Sequence, residues 1–77
     1  MQDKKNFRSN KLAFEYDVAL QIRKMRLNSG LSLEDFSRQS GIKETAAIKL
    51  ELGKICNFDH IFRIARFYDK KIKVEFY

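Results

Sequence analysis

The sequence contains no proline and no tryptophan, and its 77 residues include only three glycines. Proline and glycine are the residues that most often interrupt helices, so their scarcity predicts a mostly helical chain with few breaks. A single cysteine excludes an internal disulfide. One cysteine and one histidine also fall short of the four ligands that a structural zinc ion requires.

The residues that carry catalysis are equally scarce. Cys56 and His60 are four apart and could form half of a metal site, but no second pair exists to complete it. The chain has no Gly-rich phosphate loop and no Ser/His/Asp set. We therefore expect a protein that is not an enzyme and that uses no metal or cofactor.

Long apolar runs are also missing. No segment approaches the roughly 18 apolar residues that a membrane-spanning helix needs, and the chain does not open with a secretory signal. With the single cysteine, this favours a cytoplasmic protein without membrane contact.

What the chain has is positive charge. Sixteen Lys and Arg outnumber ten Asp and Glu, which gives a net charge of +6 and a pI near 9.7. Such a balance suits a polyanionic partner, although proteins that never bind nucleic acid can share it. A single domain of this length buries only a small core, so dimerisation would add stability.

The most informative segment spans residues 31–54. Ser32 is a typical N-cap followed by acids, and Gly41 interrupts the apolar pattern where a helix should stop. A second helix begins at Lys43 or Glu44, has Ala47 and Leu50 on its inner face, and ends before Gly53. Two short helices joined by a Gly-containing turn form a helix-turn-helix unit.

Flanking helices are predicted to complete the core. The first runs over residues 11–29, with its inner face expected to include Leu12, Phe14, Val18, Ala19, Ile22 and Met25. The last runs over residues 57–68, capped by Asn57 or Asp59, with Phe58, Ile61 and Ala65 expected to close the core.

Residues 1–10 are predicted to form a flexible basic arm, either solvated or touching DNA. Residues 11–69 then form the helix-turn-helix domain.

At this point the sequence resembles the lambda-repressor-like (XRE) helix-turn-helix family, over roughly residues 18–69. The resemblance is carried by Ile22-Arg23-x-Met25-Arg26, Gly30-Leu31-Ser32, Phe36-Ser37-x-x-x-Gly41-Ile42, Leu50-Glu51-x-Gly53-Lys54 and Ile64-Ala65. It implies a mainly helical bundle of four helices whose third helix enters the major groove of DNA. Leu33 departs from the pattern, because many members carry there a Gln that contacts a phosphate.

The resemblance implies a set of DNA-facing positions. Those expected to contact bases are Glu44, Thr45, Ile48 and Lys49, and those expected to contact phosphates are Ser32, Arg38, Lys43 and Lys54. Each one taken singly could instead be an ordinary exposed side chain.

Arg26 is a charged residue on the inward side of the first predicted helix. The resemblance implies an Arg-Glu pair at Arg26 and Glu51. We predict a partly buried salt bridge that joins the first helix to the third. The alternative is two solvated surface charges.

The last residues, 70–77, follow a different pattern. Ile72, Val74 and Phe76 alternate with charged residues, which predicts a half-buried β-strand. Because a lone strand leaves its backbone unpaired, we expect these residues to pair with a second copy and form a dimer interface. The alternative is a frayed strand.

A C-terminal strand directly after the fourth helix resembles antitoxins of the HipB and HigA type. The sequence thus predicts a homodimeric, sequence-specific repressor that binds a near-palindromic operator in double-stranded DNA, with an antitoxin-like role and a possible cognate toxin partner. The alternative is a module of the same shape that neutralises a partner protein, such as a toxin, without specific DNA binding.

Overall fold

A computed structural model describes residues 2–76 of the chain, with side chains described from residue 9 onward. It contains α1 (Gln2–Asn28), α2 (Leu33–Ser40), α3 (Glu44–Glu51) and α4 (Phe58–Phe67). No strand is present between residues 2 and 76. The expected mainly helical architecture of four helices is therefore observed.

Two of the helices begin at side-chain caps. Ser32 accepts a hydrogen bond from the backbone N–H of Asp35, and Asn57 accepts one from that of Asp59. Each cap satisfies one of the amide donors that the first turn of a helix leaves unpaired. These caps explain why α2 and α4 begin at Leu33 and Phe58.

The core lies between α1 and the three shorter helices. Its buried members are Ala19, Ile22, Phe36, Ile42, Ala47, Leu50 and Ile64. Phe36 has no solvent exposure; its ring meets Phe67 edge-on at 5.7 Å and stacks on Tyr68 at 6.1 Å between centroids. Because aromatic side chains bury large areas, this trio joins α2 firmly to the end of α4.

α1 is longer than the pattern predicted. It begins at Gln2, so the backbone of residues 2–10, expected to be an arm before the domain, is part of the first helix. This segment contains Lys, Gln and Arg, which favour helices, and neither Pro nor Gly, so nothing stops the helix from extending. The prediction that Leu12 and Phe14 belong to the core is wrong, because they are 60% and 38% exposed.

α4 also differs in one residue. Phe58 was expected to close the core, but it is 58% exposed, and Ile64 is the buried residue of this helix. Phe58 is the first residue of α4, whereas Ile61, Ile64 and Tyr68 follow one another at helical spacing against the core. Ala65 is only partly buried.

Residues 70–76, which we call the C-terminal tail, have no regular secondary structure. The strand predicted over residues 70–77 is not seen, and Tyr77 lies outside the described residues. Ile72, Val74 and Phe76 are 41%, 55% and 95% exposed. A strand is defined by backbone pairing, and residues 2–76 of a single chain contain no second strand to pair with the tail.

Candidate nucleic-acid interface

The turn between α2 and α3 is held from three directions. Gly41 has a positive φ of 78°, and its N–H donates to the carbonyl of Ser37. The hydroxyl of Ser37 donates to the carbonyl of Ile42. Arg63 of α4 donates through Nη1 to the carbonyl of Gly41 at 3.5 Å. Together these bonds set the angle at which α3 leaves α2.

The inner face of α3 is anchored by packing. Ala47 and Leu50 are each 1% exposed and belong to the same core cluster as Phe36. Ala is small enough to bring the helix backbone close to α1 and α2. The rotation of α3 about its own axis is therefore set by its buried residues.

The salt bridge expected between Arg26 and Glu51 is present in the structure. Arg26 donates through Nε to Glu51 Oε2 at 2.6 Å and through Nη2 to Glu51 Oε1 at 2.9 Å. Its Nη1 donates to the carbonyl of Leu31 at 3.0 Å. The two side chains are only 12% and 9% exposed, so this bidentate pair clamps the end of α3 onto α1.

The hydrogen bond to Glu51 raises the pKa of the Arg26 guanidinium above its ordinary value, although burial acts in the opposite direction. Arg26 is therefore a permanent cation. A charge held there needs its carboxylate partner, because an unpaired buried charge is strongly destabilising.

The side of α3 opposite its buried inner face is exposed to solvent. All four positions expected to contact bases, namely Glu44, Thr45, Ile48 and Lys49, are exposed. At about 100° per residue they occupy one side of the helix, opposite Ala47 and Leu50. We call these four residues the exposed face of α3.

The N-terminus of α3 differs from those of α2 and α4. Lys43 occupies its N-cap position and makes no side-chain cap hydrogen bond, since a lysine ammonium has no acceptor. The first amides of α3 are thus left to other acceptors, next to the positive charge of Lys43. This combination is favourable for an anion such as a phosphate.

The residues expected to contact phosphates differ in the hydrogen bonds and ion pairs that they already make. Lys43 and Lys54 are exposed. The Ser32 hydroxyl accepts the N-cap hydrogen bond, but it can still donate its own hydrogen to a phosphate oxygen. Arg38 pairs with Asp35 on the surface, so binding a phosphate would compete with that carboxylate.

The sequence pattern does not identify Arg63, whereas it does identify the departure at Leu33. Arg63 is brought beside the α2–α3 turn only by the packing of α4, and its charge alone did not distinguish it from the other cations. Leu33, which replaces the Gln of many family members, packs against the core, so it gives no polar contact at the DNA-facing surface.

The remaining candidate positions do not assemble into a site. Cys56 is exposed, and Nδ1 of His60 is buried without a hydrogen-bond partner. Among the described residues, no three His, Cys, Asp or Glu side chains lie close enough to hold a metal ion. None of the described helices is long and apolar enough to cross a membrane.

A comparison with family models agrees with this geometry. The model described as helix-turn-helix matches residues 22–74, which is more than half of the chain. The chain therefore belongs to this helix-turn-helix family, which is of the XRE type and is characteristic of DNA-binding regulators. Among curated proteins and among solved structures, no significant match to the chain was found.

Proposed function

We propose that the chain is a sequence-specific transcriptional repressor that binds a near-palindromic operator as a homodimer. The observation that supports it best is the anchoring of α3. Ala47, Leu50 and Glu51 hold one side of the helix against the bundle, which leaves the exposed face of α3 free for the major groove.

Each residue of that face has a chemistry that suits bases. Thr45 can hydrogen-bond to a base or contact a thymine methyl, and Ile48 can pack on thymine methyls. Lys49 can donate to guanine O6 and N7, and Glu44 can accept from cytosine N4. Lys43, Lys54, Ser32 and Arg38 would then set the register through phosphates.

The first experiment is a fluorescence anisotropy titration with the DNA upstream of the gene and with a scrambled duplex of equal length. We expect specific binding that weakens steeply with salt, because phosphate contacts release counterions. Thr45→Ala should lose about 1–3 kcal/mol on the specific duplex only. Lys54→Ala should weaken both duplexes and lower the salt slope by about 1.

Gln21→Ala is the matched control, since Gln21 is exposed on α1 and its side chain bonds to Asp17 of the same helix. It should bind like the unaltered protein. Equal affinity for specific and scrambled DNA at every salt concentration would contradict the proposed function.

The proposed dimer gives a further test of DNA geometry. Two recognition helices should meet successive major grooves with half-site centres about 34 Å apart. Inserting five base pairs between half-sites turns one of them to the opposite side of the duplex. Cooperative binding of the two half-sites should then disappear.

The antitoxin-like role is the finer part of the proposal: autoregulation of an operon that also encodes a toxin. It is supported by the small basic domain followed by an alternating apolar tail, Ile72, Val74 and Phe76. Co-expression with the product of the adjacent reading frame tests it. Rescue of growth by this chain would support the role, and a harmless neighbour would count against it.

The second candidate is a protein-interaction module of the same shape that neutralises a partner such as a toxin without specific DNA binding. It is favoured by the packing of Leu33 in the core, which removes a polar group from the DNA-facing side, and by the acid Glu44 on the exposed face of α3. The anisotropy titration separates the two candidates, because the module would not distinguish specific from scrambled DNA.

A further inference from the structure

Apolar side chains are exposed along one face of α1. Leu12, Tyr16, Leu20 and Leu27 are 60%, 65%, 40% and 57% exposed, and their spacing places them within about 80° around the helix. We call these four residues the α1 apolar face. At its N-terminal end, Leu12 and Tyr16 line a shallow groove of about 410 Å³ with Leu52 and Gly53.

Large exposed apolar patches mark sites of interaction, and four exposed apolar side chains on one side of a helix are a candidate for such a patch. Arg23 falls on the same face between Leu20 and Leu27. Long basic side chains can lay their aliphatic stems over apolar surface while the charge stays in water, so Arg23 does not break the face.

The C-terminal tail also exposes apolar side chains. Ile72, Val74 and Phe76 are exposed, and in an extended chain these alternate residues would lie on one side. Pairing two tails would satisfy their backbone groups, but a two-stranded ribbon is at best marginal in water unless its apolar side packs against something, such as a helix.

The lengths of the two surfaces agree. From Leu12 to Leu27 the helix rises about 22 Å, and seven tail residues span about 23 Å when extended. The tail also begins beside the end of this face, because the hydroxyls of Tyr68 and Ser29 are 3.1 Å apart.

The area that a stable dimer interface buries also favours contact between the paired tails and α1. Stable protein interfaces bury roughly 1,200–2,000 Å² in total, and two tails with three apolar side chains each offer far less. Covering the ribbon with an α1 apolar face from each copy adds eight apolar side chains to the six of the tails.

We propose that the α1 apolar face is the surface on which the paired C-terminal tails of two copies dock. This inference rests on the homodimer in the proposed function. In an antiparallel ribbon centred on Val74, Phe76 of the partner subunit lies opposite Ile72, and therefore near Leu27 at the end of α1. In a single copy, a tail folded back along its own α1 would carry Phe76 toward Leu12 and would leave no second Phe76 near Leu27.

The first test measures the dimer dissociation constant by sedimentation equilibrium for Leu20→Lys and for its control Gln21→Lys. Both variants place one lysine on the same turn of α1, but only Leu20 lies on the α1 apolar face. We expect Leu20→Lys to raise the dissociation constant at least roughly tenfold and Gln21→Lys to change it by no more than about twofold. Far-UV circular dichroism establishes that both remain helical.

The outcomes separate this inference from the proposed function. A dimer that Leu20→Lys leaves intact would overturn the docking surface alone. An unaltered protein that is monomeric at all concentrations would overturn the homodimer together with this surface, while specific DNA binding is judged by the anisotropy titration.

A disulfide test locates the contact directly. Cys56 is the chain's one cysteine and is exposed, so Cys56→Ser provides a cysteine-free background. In it, Leu27→Cys with Phe76→Cys should oxidise to a covalent dimer, and Gln21→Cys with Phe76→Cys should not. If Leu27→Cys with Phe76→Cys stayed monomeric on oxidation, the tail of a second copy would not reach Leu27, which would overturn docking between copies.

Discussion

The central bundle and the two ends of the chain differ in how far their apolar side chains are buried. In the bundle, seven apolar residues are no more than 4% exposed, and Phe36 is completely buried. Toward the ends, Leu12, Val74 and Phe76 remain more than half exposed. The bundle completes its own core, whereas the ends leave surface that a second molecule could cover.

The largest expected effect comes from replacing a buried phenylalanine and comparing it with an exposed one. Phe36→Ala should cost about 3–5 kcal/mol, because it leaves a cavity where Phe67 and Tyr68 now pack. In so small a domain this approaches the whole stability. Phe62→Ala, at a residue 59% exposed, is the control and should cost within about 0.5 kcal/mol. Thermal unfolding followed by circular dichroism measures both, and equal losses would refute the contrast.

The next effect concerns charges. Arg26→Ala should cost on the order of 3 kcal/mol, since it leaves Glu51 partly buried without its partner. Arg38→Ala removes the surface pair with Asp35 and should cost less than about 1 kcal/mol. Urea unfolding at pH 7 gives both values. A loss of unfolding free energy in Arg26→Ala no larger than that in Arg38→Ala would mean that the salt bridge between Arg26 and Glu51 does not stabilise the bundle.

The pH dependence of this pair follows from the raised pKa of Arg26. A cation whose pKa is higher in the folded state stabilises fully below its ordinary pKa and loses that effect only as the pH rises through the folded value. Arginine is ionised across the usual range, so the difference between the unaltered protein and Arg26→Ala should stay constant from about pH 7 to about pH 10. Urea titrations at both ends of this interval check it.

A smaller effect is expected at the turn that aims α3. Gly41→Ala places a side chain at φ 78°, where a non-glycine residue costs about 1 kcal/mol. The new Cβ would lie 3.4 Å from Nη1 of Arg63, a side-chain tip that can move. We expect a slightly less stable protein with weakened DNA binding. Unchanged affinity would show that the turn tolerates the substitution without tilting α3.

The smallest effect is expected at the junction of the bundle and the tail. Asp69 is the non-glycine residue with positive φ, 54°, among those described. Asp69→Gly relieves that conformation but also frees the unfolded chain, so a gain of no more than about 1 kcal/mol is expected. Differential scanning calorimetry measures it. A loss would indicate that the Asp69 side chain has a role of its own at this junction.

Much of the bundle could be predicted from local chemistry. Ser32 and Gly41 mark the two ends of α2, and Ala47 and Leu50 mark the inner face of α3. A cap, a left-handed turn residue and a helical period act within a few residues, so their signals are legible in the sequence. The DNA contacts inferred at Glu44, Thr45, Ile48 and Lys49 remain predictions.

Other features depend on contacts between distant residues. The apolar period of α1 includes Leu12, but periodicity cannot show which apolar residues the neighbouring helices cover. The period of α4 likewise could not show that Phe58 faces solvent. Arg63 reaches Gly41 across 22 residues of sequence, and no local pattern reports such a distance.

The amino-acid sequence by itself determined the two ends of α2 and located α3 and α4, because capping and turn geometry are local properties. Tertiary structure alone decided which apolar residues are covered and which remain open along α1 and the tail. Burial depends on which surfaces meet in space, and Ile72, Val74 and Phe76 are exposed among the described residues of a single copy.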